Sequence, residues 1–395
     1  MAEHYEQPLH VGRPNLGDRD RFMARAAEIF DRNWLTNNGP LVREFEDRLC
    51  EITGVKNCIA MANGTIALEL VIRALELKGE VIIPSYTFVA TAHALQWQEI
   101  TPVFCDIDPE THHVDSTRVQ ELITPRTTGI IGVHLWGRAA PVKALQAIAD
   151  RHGLRLLFDA AHAFGCSYDG GMIGQFGAAE VFSFHATKFL NSFEGGAVAT
   201  NDDVLAEKLR LMRNFGFAGQ DNVIYIGTNG KMTEICAAMG LTSLESMDEF
   251  VAANRRNYEA YYEGLADIPG LRLLPYDANE RNNYQYVIVE VDESRAGLSR
   301  DGLVDVLHQH DVLARRYFYP GCHNMEPYRS LFPQSRLWLP ETERVAARVM
   351  SLPTGASVDP GTIAYICSII RETVPGAAPR VYSWSRQSLV KEQRS

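Results

Sequence analysis

The sequence predicts an α/β fold, in which a mostly parallel seven-stranded sheet lies between helices and a smaller α+β unit follows. Three observations carry this expectation. Short apolar stretches of strand length alternate with helical stretches from residue 57 to residue 214. Several of the apolar stretches end on a polar residue or a Gly/Pro turn. After residue 228 the alternation gives way to two long helical stretches and then to a mixed pattern.

Taken in order, residues 1–20 are polar and extended, with Gly12 and Pro14 breaking any helix. Phe22, Ala26, Ile29 and Phe30 recur at helical spacing and predict a helix over 21–33. A turn-rich loop at 34–40 leads to a second helix over 41–53. Strands are expected at 57–61, 80–83, 102–106, 129–135, 154–158, 181–184 and 197–200. The intervening helices fall at 66–77, 87–97, 144–152 and 204–214. Strands separated by helices imply a parallel sheet covered on both faces, with ligands at the carboxyl ends of its strands. Helices over 231–247 and 248–265 follow. A smaller unit is then expected, with strands at 284–291 and 312–317 and helices at 300–310 and 341–350. The domain expectation is an extended segment over 1–20, a large domain over 21–250, a small one over 251–375 and a polar tail over 376–395. The Pro/Gly-rich run from Pro375 marks that tail as a disordered or docking segment.

A chain of 395 residues suits two domains better than one core. The formal net charge of −11 argues against nucleic acid, which needs a basic face. No apolar run is long enough to span a membrane, and the polar start lacks an apolar signal core. A cytoplasmic protein is expected, with no membrane partner. The seven cysteines are scattered, without the Cys/His spacing of a metal site, and read as free thiols in a reducing compartment.

Four features coincide with predicted strand ends. Lys188 follows the strand at 181–184, in an exposed polar turn, Ser183-Phe184-His185-Ala186-Thr187-Lys188-Phe189. A lysine whose pKa is lowered can form a Schiff base with a carbonyl; a solvated loop lysine is the plainer alternative. Asn63-Gly64-Thr65 opens a helix straight after a strand. Its free N–H groups suit a phosphate, or it is simply a capping turn. Asp159 ends an apolar strand and needs a positive partner if desolvated; a helix cap is the alternative. His162 lies three residues on, where it could face the same site or simply pack. Phe88, in Pro84-Ser85-Tyr86-Thr87-Phe88, could stack on a flat ring or belong to the core. Together these supply an anion cradle, a ring stack, an acid for a ring nitrogen and a lysine. That set matches a pyridoxal phosphate site.

The same motifs, with Asn38-Gly39-Pro40, His134-Leu135-Trp136-Gly137, Glu194-Gly195-Gly196 and Gly227-Thr228-Asn229-Gly230-Lys231-Met232, resemble the DegT/StrS-type nucleotide-sugar aminotransferases. These are a branch of the fold-type I pyridoxal phosphate enzymes. The similarity runs over residues 13–353. It implies that Lys188 links to the cofactor, that Asp159 partners the pyridinium nitrogen, that His162 flanks the ring near its 3-hydroxyl and that Phe88 stacks on it. It further implies that Gly64, Thr65 and Ser183 bind the phosphate, and that Asn229 reaches the phosphate of the neighbouring subunit in a homodimer. Asn63 departs from the family's common Ser. Trp136 and the segment from Pro320 to Arg329 look most like the branch that aminates dTDP-4-keto-6-deoxyglucose with L-glutamate. In that branch His323 and Arg329 are expected on the substrate side, with a capped surface turn as the alternative for both. Amination at C3, a GDP or UDP carrier, a sugar dehydratase and a non-catalytic partner protein are the competing readings. Lys188 argues against the dehydratase, whose members carry His there.

Overall fold

The structure, a computed structural model, describes residues 8–378. Its central sheet has seven strands in the order Asn57–Met61, Gly196–Thr200, Ala179–Ser183, Arg155–Asp159, Thr127–Val133, Glu80–Pro84 and Thr101–Cys105. All neighbours are parallel except Gly196–Thr200, which runs antiparallel to both of its partners. The sheet is therefore the mostly parallel one expected.

The strand residues alternate between two cores with period two. Ile59, Met61 and Val198 face one apolar cluster, with Val71, Val81, Ile131 and Leu157. Cys58, Ala60, Ala197 and Ala199 face the other, with Phe45, Leu49, Phe182 and Leu241. Burial on both faces explains why these strands read as short continuous apolar runs.

Helix Met247–Leu265 leads to a second, four-stranded sheet in the order Leu271–Leu273, Val287–Val291, Val349–Leu352 and Arg315–Arg316. Two expectations for this unit are corrected. The helix expected over 341–350 ends at Arg348, and Val349–Leu352 becomes an inner strand, fully buried between two antiparallel neighbours. The strand expected over 312–317 is two short strands in different sheets, because Val312–Leu313 pairs with Leu9–His10 from the N-terminal segment.

That N-terminal segment straps the two units together. Asn15 donates from Nδ2 to the Phe189 carbonyl at 2.9 Å. It also accepts at Oδ1 from the Ala356 N–H at 2.8 Å. Asn191 in turn donates to the Asn15 carbonyl. The tail expected over 376–395 lies largely outside the described residues.

Candidate active site

A cavity of about 530 Å³ opens where the carboxyl ends of the first sheet face the second unit. Asn63, Gly64, Thr65, Phe88, Asp159, His162, Ser183 and Lys188 all line it. The first unit thus brings eight motif residues to one space. Arg315, Tyr317 and Phe318 close it from the second unit, and Val11 to Arg13 from the N-terminal segment.

Lys188 is held by the turn that returns the chain from Ala179–Ser183 to Gly196–Thr200. Its N–H donates to the His185 carbonyl at 2.8 Å. Phe184 accepts from Ser192 and donates to Gly195, which closes the loop beneath it. The exposed turn expected here exposes Thr187, while Lys188 turns inward to the cavity. Burial lowers its pKa to about 8, against the opposing pull of Asp159. Roughly a tenth of it is then the neutral amine at pH 7, against well under a thousandth for an ordinary lysine.

Asp159 ends its strand almost wholly buried. Its Oδ1 accepts from the Ala161 N–H at 3.1 Å and its Oδ2 from the Thr91 hydroxyl at 2.9 Å. Desolvation raises its pKa all the same. Two donors leave the carboxylate with unused acceptor capacity and a cost that a protonated ring nitrogen would offset.

His162 packs beside the stacked pair Trp136 and Phe318, its ring near-parallel to both, and lies 4.4 Å from the Tyr286 ring centre. Its Nδ1 accepts from the Trp136 N–H at 3.3 Å. Burial drives its pKa well down, so the ring is neutral and carries its proton on Nε2. Trp136 itself sits in the left-handed region at φ 60, which aims its N–H at the imidazole.

The anion cradle is helix Gly64–Ala74, capped by Asn63, whose Oδ1 accepts from the Ile66 N–H at 2.9 Å. A Cβ on residue 64 would stand 3.1 Å from the Ser183 Cβ, tighter than ordinary contact. A Cβ on residue 196 would strike the backbone of Asn63 and Gly64 at 2.6 Å. These two glycines let the helix start and the strand end with Ser183 meet at the cavity. Helix N–H groups and hydroxyls meeting there suit a phosphate. The donor set as a whole fits pyridoxal phosphate.

Three expected residues lie outside this cavity. Asn229 is exposed, bridged to Asn214 on a loop that leaves the sheet. His323 is buried elsewhere. The Ser85 hydroxyl contacts its Nδ1 at 2.7 Å and accepts from its N–H at 3.1 Å, while its Nε2 meets Glu343 at 3.2 Å. It clamps the segment after Pro320 onto the end of strand Glu80–Pro84. Arg329 pairs with Glu326 at 2.7 Å on the surface. Neither His323 nor Arg329 lines this cavity. Sequence reasoning missed Arg315, Tyr317 and Thr91. For the first two a signal existed, since positions i and i+2 of a strand share a face.

With this geometry in view, the comparisons define the class. A family model for the DegT/DnrJ/EryC1/StrS aminotransferase family matches residues 17–371. The chain belongs to that family, whose aminotransferases depend on pyridoxal phosphate. A curated relative from Shigella dysenteriae, a dTDP-4-amino-4,6-dideoxy-D-glucose transaminase, is 39% identical over 93% of this chain and 99% of its own length. Among solved structures, DesI in the presence of its TDP-sugar product superposes with a TM-score of 0.90. It is 48% identical, covering 99% of this chain and 97% of its own. DesV of S. venezuelae, in complex with a ketimine intermediate, has a TM-score of 0.84 and 30% identity over 91% of this chain and 98% of its own.

Proposed function

We propose that this chain is a cytoplasmic, homodimeric transaminase. It moves nitrogen from L-glutamate to the 4-keto carbon of dTDP-4-keto-6-deoxy-D-glucose, giving dTDP-4-amino-4,6-dideoxy-D-glucose and 2-oxoglutarate. The observation that carries this reading is the inward-facing Lys188 with its lowered pKa, in one cavity with Asp159 and the Asn63–Thr65 cradle. The substrate is supported by what the Shigella dysenteriae relative is named for and by the TDP-sugar product of DesI.

Pyridoxal phosphate, when bound, supplies an electron sink for the carbon that gives up or receives nitrogen. This chain's residues do the rest. Asn63, Gly64, Thr65 and Ser183 would hold the phosphate, and Phe88 would cover one ring face. Asp159 would accept the ring N–H and keep that proton in place. His162 would donate from Nε2 along the ring edge. Lys188 Nζ, in its neutral form, would take the donor's α-proton and later return a proton to the sugar carbon. The walls of the second unit would exclude water during both transfers.

A dimer is supported by the loop before Asn229, which exposes Phe215, Val223, Ile224 and Ile226. From there Asn229 would contact the phosphate in the partner's cavity. All seven cysteines are free, which suits a reducing compartment.

The test is incubation of the purified protein with L-glutamate and dTDP-4-keto-6-deoxyglucose, with mass spectrometry and NMR of the product. An amino group at C4 is expected. Amination at C3, or no amination, overturns the substrate assignment.

A further inference from the structure

We infer that Arg315 binds a carboxylate of the amino donor at the mouth of the cavity. This rests on the reading of the chain as a transaminase, and it names a residue that no sequence motif singles out.

Strand Arg315–Arg316 lies at the edge of the second sheet, with Arg315 opposite Ser351. The two arginines point to opposite faces, as strand neighbours must. Arg316 is satisfied on its face, 3.5 Å from Asp301 and over the Tyr319 ring. Arg315 faces the cavity. Among the described residues no carboxylate lies within ion-pair distance of it. Its partner is Tyr317, two residues on along the same face. Arg315 Nη1 donates to the Tyr317 hydroxyl at 3.2 Å, and the guanidinium lies 4.9 Å from that ring's centre. One nitrogen is thus used to hold the side chain, and the rest of the fork is free. A guanidinium fixed on an aromatic face with a free edge suits bidentate capture of a carboxylate.

The charge balance of the cavity agrees. Its acids are Asp159, buried beneath the lysine, and Glu194, 3.5 Å from His185. Arg13, the other arginine lining the space, is already engaged. Arg315 is close enough to Lys188 for its charge to help lower the lysine's pKa.

That nearness selects the ligand. An amino donor must bring its nitrogen-bearing carbon to Lys188, and its α-carboxylate is one bond from that carbon. The diphosphate of a nucleotide sugar lies across the whole sugar ring from a 4-keto carbon, so it would fall farther from Lys188. A donor held by Arg315 would also bridge the two units of the chain.

The test is calorimetric titration of the holoenzyme with two probes, glutarate as a donor-like dicarboxylate and dTDP as a diphosphate. Arg315→Gln is expected to weaken glutarate at least tenfold and leave dTDP within twofold. Arg315→Lys, which keeps the charge but not the fork, is expected to weaken glutarate by less. The KM for L-glutamate should follow glutarate, with the KM for the keto-sugar unchanged. Unaltered glutarate affinity in Arg315→Gln, or an equal loss of dTDP, overturns the assignment, as does a wild-type holoenzyme that fails to bind glutarate. If the wild-type enzyme aminates no dTDP-keto-sugar while the glutarate result stands, the substrate reading fails and the role of Arg315 survives.

Discussion

Thr91 Oγ1 donates to Asp159 Oδ2 at 2.9 Å, and Thr87 Oγ1 lies 3.1 Å behind it. Both threonines are buried at the start of helix Ala90–Gln96. Thr91 spends its only proton on the carboxylate, so Thr87 donates to Thr91. The pair forms a short relay that favours the charged form of Asp159 against its desolvation. Hydrogen bonds to charged groups contribute about 1.5–3 kcal/mol. Thr91→Val keeps the shape and removes the donor. Its expected effect is a loss of pyridoxal phosphate affinity of about tenfold or more, read by titrating the apoprotein. Unchanged affinity would show that Asp159 is held without Thr91.

Much of this site was legible in the sequence because its parts are local. Asn63-Gly64-Thr65, Asp159 and Lys188 each follow an apolar run directly, and a parallel sheet sends all such ends to one edge. The relay from Thr91 was not legible, since it depends on how a helix start leans over a strand two places away in the sheet. Val349–Leu352 misled for a related reason. Its helix, Pro340–Arg348, carries the apolar spacing right up to the boundary, and only pairing with Val287–Val291 turns the next residues into a strand. His323 sits in a motif that reads as substrate-facing, yet tertiary contact with Ser85 claims its imidazole. Arg315 has no local signal beyond alternation, because what distinguishes it from Arg316 is an acid, Asp301, at the start of a distant helix.

The pKa of Lys188 makes two behaviours depend on pH. Its folded value, about 8, lies below the ordinary 10.5 of an exposed lysine. Between those values the unfolded chain binds a proton that the folded chain does not. Apoprotein stability therefore rises as pH increases from about 8 to 10.5, and that contribution is lost as pH falls through about 8. Lys188→Ala should remove this slope, so its stability relative to wild type should shift by about 3 kcal/mol across the window. Chemical denaturation of both proteins at several pH values would read it. Capture of pyridoxal phosphate by the wild-type apoprotein needs the neutral amine. Its rate should climb about tenfold per unit below pH 8 and level off above. Lys188→Ala should also stay folded and lose turnover; full activity in that variant would sink the transaminase assignment.

The position of His323 separates two roles. Its ring is held by Ser85 and Glu343, and burial lowers its pKa although Glu343 opposes the shift. His323→Ala leaves the buried Ser85 hydroxyl without its ring partner, a loss of about 1–3 kcal/mol. The expected result is a melting temperature lower by several degrees, with the KM for the keto-sugar within twofold of wild type. A raised KM with unchanged melting would return this histidine to the substrate side.

Asn229 bears on whether one chain can complete its own site. Its exposed loop carries Phe215 and Ile226 into solvent, and its side chain lies outside the cavity of its own chain. In a dimer that buries this loop, Asn229→Asp would set a negative charge beside the partner's phosphate. Two like charges about 4 Å apart at a partly buried site repel by about 4 kcal/mol at an effective dielectric constant of 20. Cofactor retention in gel filtration should fall at least tenfold while the dimer persists. A mixed dimer settles the geometry. One subunit carrying only Lys188→Ala and the other only Asn229→Asp places both lesions in one cavity if Asn229 serves the partner, which leaves the second cavity intact. About half of wild-type activity is then expected. If Asn229 serves its own chain, both cavities are damaged, and the mixed dimer should keep only about half the activity of the Asn229→Asp homodimer.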